Sequence, residues 1–294
     1  MTTLKLHESA GIQAGHRLAV IAGGGSLPVE LAEASKHHKP LILMIVGEVE
    51  NPDAFSAFDS VSITIEQFGQ LASILLKHRV THVVSAGTIN RRPQLSKLRL
   101  DRYTLLALPR IAYALAQGDN ALLSLVVNIV EGAGVKVLGA HQVAPELLAV
   151  EGHFGTVQPH KADWRDIEAA RQAALAIGGL DIGQAAVSVG GRVIALEGIE
   201  GTQGLLHRVA ELRQHGRLAG RKRGVLVKCA KPGQELRVDM PSIGPQTVGD
   251  AHAAGLAGIA VEAGRALVLE GPQLVKRADE LGLFVVGLSS KAER

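Results

Sequence analysis

Residues 16–22, HRLAVIA, form a short apolar run that passes straight into Gly23, Gly24, Gly25, Ser26, Leu27 and Pro28 and then into the helix-forming residues 29–35. An apolar run of this length closed by glycine reads as a buried strand, and Pro28 suits the first turn of a helix, where its missing amide is not needed. A strand that turns sharply into a helix has to bury a face of each, which commits the chain to layered α/β packing. The same rhythm continues, with strands expected at 41–46, 61–65, 82–86 and 135–138. Helices are expected at 68–78, at 103–117 and from Asp119 through Val130. Strands alternating with helices imply a parallel sheet.

Residues 152–162, GHFGTVQPHKA, lose this periodicity and gather glycine, proline and histidine, the composition of a boundary. Beyond it the pattern changes. A helix at 164–177 leads to a hairpin, 186–189 and 192–196, about Gly190 and Gly191, and EGIEGTQGLLHRVAEL opens another helix. A buried strand at 224–227 precedes a long loop. A helix at 247–254 capped by Thr247, strands at 258–261 and 266–269, a helix at 272–281 and a strand at 283–286 complete the chain. The fold class is therefore α/β in two domains: a Rossmann-like parallel sheet over 1–155, expected to bind substrate, and a mixed α/β catalytic domain over 156–294.

Hydrophobic residues make up 47% of the 294, but aromatics only 3%, so the core is aliphatic. The net charge of +3 comes with no basic stripe and no interleaved aromatics, which argues against nucleic acid and for a small anion as partner. Cys229 stands alone, so no disulfide forms within the chain. No apolar run reaches the roughly 18–20 residues of a spanning helix, and the first residues carry no signal-like core, so a cytoplasmic protein with at most peripheral membrane contact is expected. An exposed edge strand would leave room for a homodimer.

The densest chemistry lies in residues 228–247, KCAKPGQELRVDMPSIGPQT, where Lys228, Lys231, Glu235, Arg237 and Asp239 are punctuated by Pro232, Gly233, Pro241, Gly244 and Pro245. Proline and glycine forbid a long helix here, and a long charged loop held between regular segments is more often a site than a mere connection. Cations that absorb phosphoryl charge beside carboxylates that hold a metal or orient water fit phosphate ester chemistry. A structural ion-pair network would use the same residue types. The glycine turn at 23–28 offers amides to an anion, or is a plain tight turn. Arg91 and Arg92 follow the fourth strand at the end where open α/β sheets place ligands, or are solvated arginines. Asp119 and Asn120 serve as helix caps or ligands, and His141 closes the fifth strand. Glu197 and Glu200 complement a helix dipole or supply a second carboxylate source. Cys229 lacks an assigned histidine and is not favoured as a nucleophile.

Taken together and in order, GGGSLP, GTINRRP, QGDNALL, LGAHQ, LEGIEGTQGLLHRV and KCAKPGQELRVDMPSIGPQTV closely resemble the UDP-2,3-diacylglucosamine pyrophosphatases of the LpxI type, over nearly the whole chain. The resemblance implies Mg²⁺-dependent hydrolysis of that substrate by water attack on the α-phosphorus, giving UMP and 2,3-diacylglucosamine 1-phosphate, lipid X, in lipid A biosynthesis. It makes Asp239 the essential carboxylate and, with Glu235, the metal ligand, and turns Lys228, Lys231 and Arg237 toward the diphosphate. Gly23, Gly24, Gly25, Ser26, Leu27, Pro28, Arg91, Arg92, Asp119, Asn120, His141, Thr202 and Gln203 would bind substrate, the first domain's turn closing over the ligand from across a cleft. Three positions depart from the family pattern, which implies aspartate where this chain has Asn120, Gln203 and Glu235. Asn120 and Gln203 lack an anionic oxygen for a metal, which favours the alternative of a catalytically inactive diacyl-sugar or nucleotide-sugar binding protein; another nucleotide-sugar enzyme, including an oxidoreductase using the glycine turn for a dinucleotide, is the alternative within enzymes.

Overall fold

The computed structural model describes residues 12, 15–89, 91, 105, 110, 119–218, 220, 221 and 223–289, without the side chains of 119–122. The expected helix at 103–117 and the position of Arg92 lie outside the described residues. The chain forms two compact units, Met1–Glu146 with Glu235–Asp239, and Leu147–Gln234 with Met240–Arg294. Each has its own sheet.

In the first unit, strands β1 (Leu18–Ala22), β2 (Leu41–Ile45), β3 (Asp59–Ile63), β4 (His82–Ala86) and β5 (Lys136–Leu138) form one sheet in the order β3-β2-β1-β4-β5. Every pairing is parallel, with Leu18 opposite His82 and Ala22 opposite Ala86 across β1 and β4. This is the order of a Rossmann-like half, and its direction reverses between β1 and β4. All five residues of β1 are buried, as a central strand covered on both faces requires. Helices α1 (Leu27–Ala34), α2 (Leu71–Lys77), α3 (Asp119–Gly132) and α4 (Ala140–Val143) follow the strands. The core is aliphatic, built from Leu41, Leu43, Leu75, Val83, Val127, Val137 and their neighbours, and Val238 of the 235–239 segment packs against it.

Several elements differ from expectation in detail. The third strand begins two residues earlier than its alternation implies, and the helix expected from residue 68 starts as a 3-10 segment, Ile65–Gln70. The Gly139-Ala140-His141 stretch, expected only to close β5, opens α4.

The second unit holds a six-stranded sheet in the order β6-β13-β11-β9-β7-β8. Its strands are β6 (Gly152–His153), β7 (Ala185–Val189), β8 (Arg192–Leu196), β9 (Val225–Lys228), β11 (Gly258–Glu262) and β13 (Phe284–Leu288). The central β9, β11 and β13 run parallel, while β7, β8 and β6 add antiparallel edges, so the sheet is mixed. Two more short strands, β10 (Ser242–Ile243) and β12 (Leu267–Val268), pair in parallel. Helices α5 (Asp163–Gly179), α6 (Gly201–Gln214), α7 (Pro245–Ala253) and α8 (Gly271–Leu281) flank these sheets. Thr247 does not cap α7 from outside. It lies inside the first turn, and its hydroxyl accepts the Gly244 amide at 3.3 Å, because Pro245 starts the helix two residues earlier.

The turn after β1 and the turn after β4 are fitted to each other. Gly24 donates to the Thr88 carbonyl at 2.9 Å and Thr88 donates back to Gly24 at 3.0 Å, while Gly23 donates to Ala86 at 2.8 Å. A Cβ on Gly23 would lie 2.4 Å from the Thr88 carbonyl oxygen, and one on Gly87, whose φ is +86°, would lie 2.3 Å from that of Gly24. Gly87→Ala is expected to destabilise the first unit by about 1–3 kcal/mol through this overlap, read as a lowered urea midpoint at unchanged slope. An unchanged midpoint would show that the two turns separate freely.

Candidate functional site

The carboxyl ends of β1, β2, β4 and β5 converge on one edge of the first unit, and most of the candidate residues there sit in the four turns that follow them. The amides of Gly23 and Gly24 are already bonded to β4 and its turn. What the glycine turn leaves to a ligand is the start of α1. Gly25 is exposed at φ +85° with open space around it, and the amides of Gly25, Ser26 and Leu27 have no partner among the described residues. The Ser26 hydroxyl donates to Glu30 at 3.0 Å, and Pro28 is buried with its ring against Gly87. Pro28 therefore shapes the turn by packing.

Arg91 reaches back to the turn after β2. Its amide donates to Glu48 at 3.2 Å, its guanidinium donates to the Val46 carbonyl at 3.2 Å, and its Nε stands 3.5 Å from the same Glu48 oxygen. The Glu48 side chain is 2% exposed and that of Arg91 57%, so a buried carboxylate anchors an arginine whose head faces solvent. Gly47, at φ +85°, lies under that guanidinium.

The next turn carries His141 on α4, which packs against both α1 and β4. Burial lowers the pKa of His141, so its ring is neutral near pH 7. Its buried Nδ1 has no hydrogen-bond partner among the described residues. A Cβ on the neighbouring Gly139 would lie 3.2 Å from the Arg237 Cα, so the 235–239 segment runs against the end of β5 beside His141.

Arg237 is clamped by two carboxylates. Its Nε and Nη2 donate to the two oxygens of Glu235 at 2.9 and 2.7 Å, and its Nη1 donates to Glu131 of α3 at 2.8 Å. The Arg237 hydrogen bonds hold the Glu235 carboxyl below the usual carboxylate range, and Arg237 is raised in return. Asp239 is half-buried one turn on, its amide bonded to the Glu235 carbonyl at 3.1 Å.

In the second unit Lys228 ends β9, 8% exposed, and its ammonium donates to the Ser242 carbonyl at 3.1 Å. Lys231 forms an ion pair with Asp181 at 2.6 Å. Thr202 donates its hydroxyl to Glu197 at 2.6 Å, whose other oxygen accepts the Gln184 amide at 2.7 Å. Glu197 is 5% exposed and braces two turns, with its carboxylate at the start of α6. Gln203 is exposed on α6, and the Asp119 and Asn120 side chains lie outside the described residues. Burial, followed by the field of Glu262, pushes the Cys229 thiol up to about 12, so it stays protonated and is no nucleophile near neutrality.

Of the candidate residues, Gly25–Leu27, Arg91, His141, Glu235, Arg237 and Asp239 belong to the first unit, and Lys228, Lys231 and Thr202 to the second. Among the described residues no three His, Cys, Asp or Glu side chains stand close enough to hold a metal ion together. Both oxygens of Glu235 accept hydrogen bonds from Arg237, so a metal ion at Glu235 would have to compete with the arginine. Glu48, Glu131 and Asp181 were not legible as site residues, since their partners stand 43, 106 and 50 positions away in sequence. A glycine followed by an acid at the end of β2 was the one local signal for Glu48.

The Glu235–Arg237 pair carries a pH signature. A carboxyl depressed in the folded state adds stability above its unfolded pKa of about 4.3, and that stability is lost as pH falls through the folded value. Arg237→Gln is expected to return the Glu235 titration, followed by carboxyl carbon NMR, to the ordinary glutamate range. An unmoved titration would show that Arg237 is not what holds the carboxyl down.

The model of the LpxI N-terminal domain matches residues 17–147 and that of the LpxI C-terminal domain residues 150–286. The UDP-2,3-diacylglucosamine pyrophosphatase LpxI of Caulobacter vibrioides is 41% identical over 275 residues, which span 92% of this chain and 97% of that protein. With both domain models matched in order and the identity carried through nearly the full length of each protein, this chain belongs to the LpxI family of UDP-2,3-diacylglucosamine pyrophosphatases.

Proposed function

We propose that this protein hydrolyses the diphosphate of UDP-2,3-diacylglucosamine, a step of lipid A biosynthesis. The observation that carries the reading is the 41% identity to the Caulobacter enzyme over both domains. In the proposed reaction a water oxygen bonds to the α-phosphorus and the bond from that phosphorus to the bridging oxygen breaks. The bridging oxygen leaves on the β-phosphate, so the products are UMP and 2,3-diacylglucosamine 1-phosphate, lipid X. The water's proton passes to a base.

Asp239 is the residue proposed to orient that water or to hold Mg²⁺ together with oxygens of the diphosphate. When bound, the ion would neutralise charge on the phosphoryl oxygens. The open amides at the start of α1 and the exposed head of Arg91 suit the negative charge of a nucleotide. Neutral His141 offers a ring hydrogen bond rather than a charge. Lys228, Lys231 and Arg237 are the proposed diphosphate cations, and for Lys231 and Arg237 the ligand would have to replace a carboxylate partner. A cytoplasmic location with peripheral contact at the inner membrane follows from the lipid substrate. No helix among the described residues is long and apolar enough to cross a membrane.

Purified protein with Mg²⁺ is expected to release UMP from UDP-2,3-diacylglucosamine, and Asp239→Asn to slow that release at least about 100-fold without changing the thermal midpoint. Undiminished turnover in the variant would remove Asp239 from the chemistry. In ¹⁸O-labelled water the label is expected in UMP. Label in the sugar phosphate would place the attack on the β-phosphorus.

A further inference from the structure

The turn between β7 and β8 lies beneath two arginine side chains. Gly190 and Gly191 have φ of +64° and +77°, and a Cβ on Gly190 would lie 1.8 Å from Arg221 Nη1, one on Gly191 2.3 Å from Arg165 Nε. Arg221 also donates to the Gly190 carbonyl at 3.1 Å. A side chain at either glycine would push the arginine head aside, and the positive φ at both favours glycine. The start of α5 completes a cleft with Lys161, Asp163 and Asp166, and Arg223 closes it.

The sign of that cleft is set by which charges face outward. Asp163 is 1% exposed, accepts two bonds from Arg223 at 3.0 and 2.6 Å, and takes the His160 amide at 2.8 Å. Asp166 is 4% exposed and accepts the Ser188 hydroxyl at 2.7 Å and the Gly191 amide at 2.6 Å. Both carboxylates are therefore consumed inside the unit. Lys161, Arg165 and Arg221 are exposed and make no ion pair among the described residues. Trp164, the single tryptophan of an aromatic-poor chain, stands beside Arg165 on the first turn of α5 and is 45% exposed. An exposed indole next in sequence to Arg165 and three positions from Lys161 joins the two residue types that partition to the headgroup level of an anionic bilayer.

We propose that this face docks the protein on an anionic lipid bilayer, with headgroup phosphates entering the cleft between Lys161, Arg165 and Arg221 and Trp164 seated at the interface. The choice of a bilayer as the source of phosphate rests on the lipid-substrate reading, while the cationic cleft stands without it. The cleft lies at the Ser188–Val225 end of the β7–β9 pair, and Lys228 at the other end, opposite Ala185. None of the docking side chains belongs to the residues proposed to act on the diphosphate.

The single indole makes the test direct. With the full chain, a blue shift of tryptophan emission and co-sedimentation are expected on vesicles of phosphatidylcholine and phosphatidylglycerol, and neither on phosphatidylcholine alone. Binding is expected to vanish near ~1 M salt, where the screening length falls to about 3 Å. Removing one unpaired cation is expected to weaken partitioning roughly fivefold, so Lys161→Gln with Arg165→Gln compounds the loss, while Arg165→Lys, which keeps the charge, retains binding. A thermal midpoint common to all variants shows that folding is not the cause. Equal partitioning of neutral and anionic vesicles, undiminished binding by the double variant, or the same emission shift from soluble glycerol phosphate would overturn the proposal. UMP release from detergent-dispersed substrate is read separately: docking without turnover sinks the catalytic reading alone, and turnover without docking sinks this one alone.

Discussion

Two backbone hydrogen bonds between Gly24 and Thr88, with a third from Gly23 to Ala86, join the turn after β1 to the turn after β4 at the point where the order of the first sheet reverses. In open α/β sheets that point is where the turns splay apart and a ligand enters between them. Here the backbones meet. The glycines are needed for that meeting, since a side chain at Gly23 or Gly87 would overlap the opposite carbonyl. The consequence is that the amides left open at this edge are those at the start of α1, beside the Arg91 head and α4, with Glu48 and Pro28 as buried supports.

The same constraint explains what was and was not legible. Strands such as β1 and β4 are short apolar runs whose signal is local, so their existence and parallel arrangement follow from residue pattern alone. The two-residue strands β6 and β10 carry no period to detect. The glycine triplet was legible as a turn, but its use was not, because nothing in GGGSLP says that its first two amides will be taken by a segment more than sixty residues on. Pro28 was readable as a first-turn residue, while its contact with Gly87 is tertiary.

The dense loop after β9 tells a related story. Its charges were visible in sequence as a site or as an ion-pair network, and the fold makes Lys231 and Arg237 members of ion pairs. Asp181 and Glu131, which complete those pairs, come from distant elements with no motif of their own. Family resemblance reached further than periodicity here, since the ordered motifs identified the chain before any partner could be named. It did not foresee that Glu235, read as a metal ligand, would spend both oxygens on the arginine two residues away.

That pairing constrains how the site can change state. Glu235 is held below the usual carboxylate range and Arg237 is raised, so both remain charged across the neutral range and protonation does not part them. His141 is neutral there because burial disfavours its cation, and Cys229 remains a thiol for the same reason. Neutral-range changes of pH therefore leave these four groups in one ionisation state. Phosphoryl oxygens make charge-assisted bonds to a guanidinium as carboxylates do, and stronger ones than water or neutral sugar hydroxyls. In the reaction proposed above, a diphosphate ester would bring such an acceptor to Arg237, and an uncharged glycolipid would not.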